Sequence, residues 1–481
     1  MTEHRSDTHC DVVSAPSTGL DRRTLLSRTH LGIGSLALHS VFHNGSTNAG
    51  LSFAPHSKPK AKNVILLTMA GGPSQLDLFD PKPKLNQLNG QPLPDVGDET
   101  FAQITGTPLL LGSPYRFSQY GKSGAVVSEL LPSLSSIADE LTIVRSLTTD
   151  SFNHDPAQTL FNTGDTLPGR PSLGAWLSYG LGSENSNLPA FIVMVSGQGQ
   201  PLGARSWGSG FLPTNHQGVQ FRSRKDPVLF LNDPEWMTRQ SRRASLDALK
   251  SLNRLEASRT LDPEIETRIQ SYEMAYRMQS SVPELTDLSG ETAHTHELYG
   301  SQPGQSSFSA NCILARRLVE SGVRFVQLFH RGWDHHGLGY TGGIDVGLPE
   351  RCHEVDQATA GLILDLKQRG LLDDTLVIWG GEFGRTPVRQ KSFTTKYLGR
   401  DHHRRAFTML FAGGGFKPGI TVGSTDELGY FVAENKLHIH DLHATILHAL
   451  NIDHKRLTFD HLGRQFRLTD VAGNVAHNLF A

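Results

Sequence analysis

Cysteine is nearly absent. The 481 residues contain three, Cys10, Cys312 and Cys352, and no CxxC pair. That argues against a thiolate zinc site. Cys312 and Cys352 are left as either one bridge or two buried thiols. Charge of one sign is missing too. The formal net charge is −2 and the pI about 6.9, so no basic field covers the chain, and a nucleic-acid partner is not expected. Long apolar runs are lacking. The run from Leu31 to Phe42 has 12 residues, against the roughly 20 a helix needs to cross a bilayer. No haem, flavin or nicotinamide motif occurs. The glycines of "AGGGFKPG" do not follow GxGxxG spacing, so a transition-metal oxidoreductase would rest on histidine and carboxylate counts alone.

What is present is a soluble globular composition, 37% apolar and 19% charged. The N-terminus has Arg22-Arg23, then Leu25 and Leu26, then the short apolar run. This resembles a twin-arginine export signal; the plainer reading is a disordered basic tail. The expectation is residues 1–60 as export signal and linker, and a periplasmic or extracellular mature protein without a transmembrane helix.

Short β-rich apolar runs follow: Asn63 to Met69, Leu141 to Leu147, Pro189 to Val195, Val323 to Phe329, Thr375 to Trp379 and Ala406 to Ala412. Each is apolar on successive residues, as strands buried on both faces are. Helical patterns alternate with them, in "LLPSLSSIADE", "ANCILARRLVESG" and "EVDQATAGLILDLKQRG", the last with Gly370 as a C-cap. Strands alternating with helices imply an α/β domain over 61–481, with a mostly parallel central sheet and helices on both faces. The charged stretch 233–291 is expected to be a helical insertion, with Leu246, Leu249, Leu252 and Leu255 as one stripe packed on the main domain. A partner-binding helix is the other reading.

In open α/β sheets ligands bind outside the carboxyl ends of the strands. The octapeptide "HRGWDHHG" leaves such an end. If it is extended, Asp334 and His336 point one way and His335 the other. A carboxylate and an imidazole on one side suit a divalent cation. "TLVIWGGEFGRTP" delivers Glu382 and Arg385, either to a site or to a salt bridge at the sheet edge. "GRDHHRRAFTMLFAGGG" places Asp401, His402 and His403 before a strand. "FNHDPAQTLFNTG" carries His154 nine residues before Thr163-Gly164. In "MAGGPSQLDLFDPKP", Ser74 either caps a helix or serves as nucleophile or anion contact.

Together "GGPSQLDLFDPKP", "RRLVESGVRFVQLF", "GWDHH", "LLDDTLVIWGGEFGRTP", "GRDHH" and "DLHATILHAL" resemble the domain-of-unknown-function 1501 family of exported bacterial proteins. That family is placed within the alkaline phosphatase and sulfatase superfamily. The resemblance runs from about Asn63 to the C-terminus and implies an alkaline-phosphatase-like fold. It implies one metal held by Asp334 with His336 or His335, and by His402 or His403. Glu382 falls where a second metal's Asp-His pair is usual, but no histidine follows it. The first strand ends in Met69 and Ala70 where the superfamily has an Asp, and the nearest carboxylates are Asp77 and Asp80. His154 stands at the nucleophile position, with Pro156 in the matching proline position, as nucleophile, metal ligand or anion contact.

The expectation is a metal-dependent hydrolase of phosphate or sulfate esters using metal-activated water. Glu382 would be a further ligand or a base, and Arg385 the contact for an anionic oxygen. The ion is expected to be zinc, with calcium, magnesium or manganese as alternatives. The substrate would be a small anionic ester or a sulfated or phosphorylated glycan. The competing expectation is a catalytically inactive binding or scaffolding protein on the same fold.

Overall fold

A computed structural model of the chain describes residues 60–481 other than 98–103, 105, 199–202, 224–225, 263, 340–341 and 391–395. The export segment expected before residue 60 lies outside the described residues. Every expected strand forms. They are β1 (Asn63–Ala70), β2 (Thr142–Thr148), β3 (Phe191–Gly197), β5 (Phe325–Arg331), β6 (Thr375–Gly380) and β9 (Phe407–Ala412). The short strands β4 (Val219–Phe221), β10 (Ile420–Val422) and β11 (Leu437–His438) extend the sheet. Its order is β10-β2-β9-β6-β1-β5-β3-β4, with β11 also on β2, nine strands among the described residues. Eight run parallel, and β9 runs against both β2 and β6.

β1 sits at the centre between β5 and β6 and is buried along its whole length. Successive side chains go to opposite faces. Ile65, Leu67 and Met69 join one core; Val64 and Leu66 join the other. Helices α5 (Phe308–Glu320) and α6 (Gly347–Gln368) cover the first face. Helices α1 (His154–Thr163), α2 (Leu173–Leu181) and α7 (Ile439–Ala449) cover the second. Gly370, just past α6, has the left-handed φ of +69° that a C-terminal stop requires. Cys312 and Cys352 are free and buried, which settles them as two thiols.

Two expectations change. "LLPSLSSIADE" gives a short helix at Pro132–Ser136 and a 3-10 turn at Ala138–Glu140, not one helix. Ser135 and Ser136 donate to the carbonyls of Pro132 and Ser133 (2.8 and 2.6 Å), a local bond that competes with helix continuation. The insertion is a hairpin of α3 (Arg239–Thr260) and α4 (Glu264–Thr286). Its four leucines do not form one packed stripe: Leu246 is buried, while Leu252 and Leu255 are 63% and 64% exposed. At 3.6 residues per turn, a spacing of three falls about 60° short each step, so nine residues carry the series to the opposite side. α3 is held to α4 by Arg243 pairing with Glu273 (2.8 Å) and by Arg239 and Arg243 over the Tyr276 ring. Among the described residues no helix is long and apolar enough to cross a membrane.

α7 braces α1. The His440 and His443 imidazoles meet the carbonyls of Gly164 and Phe161 at 2.9 Å, at the end of α1 where carbonyls lack helical partners. Burial holds the His443 imidazole down to about 3. The unfolded chain therefore takes up a proton near pH 6.5 that the folded chain refuses. This contribution to stability is present above about pH 6.5 and is lost as pH falls toward 3. Between pH 6.5 and 5, urea unfolding of His443→Gln should show a pH slope shallower than wild type by about 1 kcal/mol per unit on average. Equal slopes would show that His443 titrates normally. Separately, Phe329→Ala should destabilise by about 3–5 kcal/mol and Leu255→Ser by no more than about 0.5 kcal/mol, measured by the same unfolding.

Candidate metal centre

The carboxyl ends of β1, β5 and β6 lie side by side, since all three are parallel neighbours. The loops leaving them carry Gly71 to Ser74, Gly332 to Gly337 and Gly381 to Glu382. β2 ends at the same edge and leads into α1, whose first residue is His154. Gly71 makes the closeness possible. Its φ is +122°, and a Cβ there would meet the backbone of Trp333 and Asp334 at 2.8 Å.

After β6 the chain forms a separate hairpin of β7 (Gly384–Arg389) and β8 (Arg400–His403). Its antiparallel register sets His402 opposite Arg385 and His403 opposite Gly384. Facing residues share a side, so His402 and Arg385 both reach Asp334, and His403 turns away. His403 Nε2 sits 2.6 Å from the Tyr430 carbonyl, and burial holds that imidazole down to about 4.

Four residues converge. Ligand atoms of His154, Asp334, His336 and His402 all lie within 4.8 Å of one another. Asp334 is the hub. Its Oδ1 is 2.7 Å from His336 Nε2 and 3.1 Å from His402 Nε2; its Oδ2 is 3.2 Å from His154 Nε2. The Nε2 atoms of His336 and His402 are 2.9 Å apart. Around a tetrahedral dication with bonds near 2.0 Å, ligand atoms stand about 3.3 Å apart. The donor chemistry fits as well. His154 turns Nδ1 to Glu382 Oε1 at 3.0 Å, and His336 turns Nδ1 to the Gln390 side-chain oxygen. Both therefore turn Nε2 to the same point, where only a cation or a proton relieves the crowding of lone pairs. The side chains of His154 and Asp334 remain 13% and 23% exposed, so the cluster opens to solvent on that side.

The electrostatics follow from this packing. Burial alone would raise the Asp334 carboxyl, but the Arg385 guanidinium and the three imidazoles hold it well below the usual carboxylate range. Burial would lower His154, yet its contacts with Asp334 and Glu382 prevail and lift it to about 9. His402 goes the other way, down to about 3, through burial with only partial compensation by Asp334. Phe383, fully buried, packs its ring 4.5 Å from His402 and 5.1 Å from His154 and keeps that side dry.

The remaining candidates from sequence lie outside this set of four. His335, taken as a possible ligand, points opposite to Asp334 and His336, as alternation requires. It is buried beside Trp333, and burial holds it down to about 3. Glu382, taken as ligand or base, stands behind His154. It is 1% exposed and accepts from the Gly71 amide (3.0 Å) and Gln158 Nε2 (3.1 Å) as well as facing His154. Arg385, taken as a contact for substrate oxygen, has its fork filled from within. It donates to the carbonyls of Gly71, Gly72, Trp333 and Arg400 and to Asp334 Oδ1, the last at 2.7 Å. The salt bridge considered for it exists, but with Asp334 rather than Glu382.

Ser74 sits at an N-cap position without capping and donates instead to Asp77 Oδ2 at 2.5 Å. Asp77 in turn pairs with Arg400 through two bonds of 2.8 and 3.1 Å, both side chains fully buried. Gln158 and Gln390 had no mark in the sequence: glutamines are common, and neither lies in a metal-like spacing.

This edge of a mostly parallel sheet with a histidine and carboxylate cluster defines an α/β protein with a candidate cation site. Residues 61–480 match the family described as "Protein of unknown function (DUF1501)", and the chain belongs to it. No curated protein matches the sequence. Similar solved structures include an alkaline phosphatase from the Antarctic bacterium TAB5, 12% identical over 74% of this chain and 92% of that one (TM-score 0.29). A sulfatase from Pseudoalteromonas sp. is 12% identical over 89% and 72% (TM-score 0.30). A protein in the alkaline phosphatase superfamily from Vibrio parahaemolyticus is 12% identical over 83% and 68% (TM-score 0.35). Likeness of that degree says nothing of activity.

The Asp77–Arg400 pair ties the loop after β1 to β8, which carries His402, and the Arg400 amide also reaches the His335 carbonyl at 3.1 Å. Removing one partner leaves a buried charge alone. Asp77→Ala should cost about 3–5 kcal/mol of stability in thermal or urea unfolding, and a loss under about 1 kcal/mol would show the pair to be dispensable.

Proposed function

We propose that the protein is a metal-dependent hydrolase of anionic esters, phosphate or sulfate, that binds one divalent cation between His154, Asp334, His336 and His402. The observation that carries this reading is the convergence of three imidazole Nε2 atoms on one carboxylate at the carboxyl edge of the sheet. Three nitrogens and one oxygen suit zinc; manganese takes the same donors less tightly, and magnesium and calcium prefer all-oxygen sites. When bound, such an ion lowers the pKa of water from 15.7 to about 7 and stabilises negative charge on an ester oxygen.

The chain's own residues do the rest. Glu382 holds the proton of His154 on Nδ1, and Arg385 fixes the Asp334 carboxylate while lending positive charge beneath it. With an ion in place, cationic charge outweighs the two carboxylates, which favours an anionic group on the open side of His154 and Asp334. No cysteine belongs to the cluster among the described residues, and Ser74 is engaged by Asp77. Water, rather than a side-chain nucleophile, fits this arrangement. His154 fits as a ligand rather than as the nucleophile, because both its nitrogens face carboxylates.

Elemental analysis of the purified protein should find about one dication per chain, and Asp334→Ala should lose it. On chromogenic phosphate and sulfate esters, Asp334→Ala and His402→Ala should fall at least about 100-fold in kcat/KM while remaining folded. Full activity in Asp334→Ala would end the catalytic reading. A loaded protein inert on every ester would favour the binding or scaffolding role instead.

A further inference from the structure

The three imidazoles differ in what stands behind them. His154 Nδ1 has a carboxylate, Glu382. His402 Nδ1 is buried with no hydrogen-bond partner among the described residues. His336 Nδ1 meets the neutral side-chain amide of Gln390, which is itself buried. Gln390 follows β7 at the mouth of the hairpin, where its backbone amide donates to the Gly399 carbonyl at 2.9 Å.

A neutral imidazole carries one proton, so the partner at Nδ1 decides the state of Nε2. With the Gln390 oxygen facing it, His336 holds its proton on Nδ1. Its Nε2 lone pair then points at the cluster, 2.7 Å from Asp334 Oδ1. Were the amide turned over, its N–H would donate to Nδ1. The proton would move to Nε2 and close that coordination position. An amide offers both arrangements, a carboxylate only the first, and a leucine neither.

We infer that Gln390 is a positioning residue for the cation, fixing His336 in the tautomer that can bind it. This rests on the cation reading above. Nothing in the spacing around residue 390 marks it as part of a site; only its contact with His336 does.

The test uses full-length protein stripped by a chelator. Zinc and cobalt affinities are then measured by competition with a chromophoric chelator for wild type, Gln390→Leu and Gln390→Glu. Gln390→Leu should bind about 10–100-fold more weakly, with an altered cobalt visible spectrum. Gln390→Glu should bind as tightly as wild type or tighter. In a His336→Ala background, Gln390→Leu should have no further effect. Unchanged affinity in Gln390→Leu would overturn the assignment. So would equal weakening in the leucine and glutamate variants, which would mark a structural role only. Gln390→Glu carries the test if the leucine variant does not fold. A wild-type protein that binds neither ion is a different failure, one that removes the cation reading and this inference together.

Discussion

The edge of the sheet is organised around one carboxylate. Asp334 receives Arg385 and three imidazoles, drawn from the start of α1, the loop after β5 and the β7–β8 hairpin. A half-buried negative charge of this kind is tolerable only if opposite charge and hydrogen bonds surround it. Arg385 supplies the permanent part, and its other donors are absorbed by the carbonyls of the glycine turn and of Arg400. The guanidinium therefore locks the loops after β1 and β5 and the hairpin strand β8 into one frame. The imidazoles stand on that frame, so the geometry of the cluster and the local fold are one problem.

Strands were easy to read because a parallel sheet covered on both faces leaves no polar alternation, and a run such as "NVILLTM" has few other uses. The adjacent histidine pairs were only half legible. For His335 and His336 the period of two gives the answer once the loop is taken as extended. For His402 and His403 the same period holds, but which member faces inward depends on the register of β8 against β7, and a bulge between Arg400 and His402 shifts that register. Pairing across a hairpin is not written in either strand alone.

Roles were harder than positions. Glu382 and Arg385 were found by their place after a strand and two glycines, and both do reach the cluster. What could not be read is that neighbouring backbone would consume them, since carbonyls and amides have no letter of their own. The leucines of α3 show the opposite error, in which residue type was legible but three-residue spacing was taken for a helical face. Gln158 and Gln390 escaped because a neutral amide looks alike whether it serves a ligand or solvent. Only the orientation of a partner nitrogen distinguishes them.

His154 opens α1, and the far end of that helix is gripped by two histidines of α7, near the end of the sequence. His402, too, belongs to the last part of the chain, while Asp334 and His336 come before it. During synthesis, His402 must therefore leave the ribosome before the three imidazoles can meet. A nascent chain that stops short of His402 presents at most two of these imidazoles, so the four-residue cluster forms only after that residue has emerged. The cluster is thus a product of folding across distant segments rather than a nucleus around which folding starts.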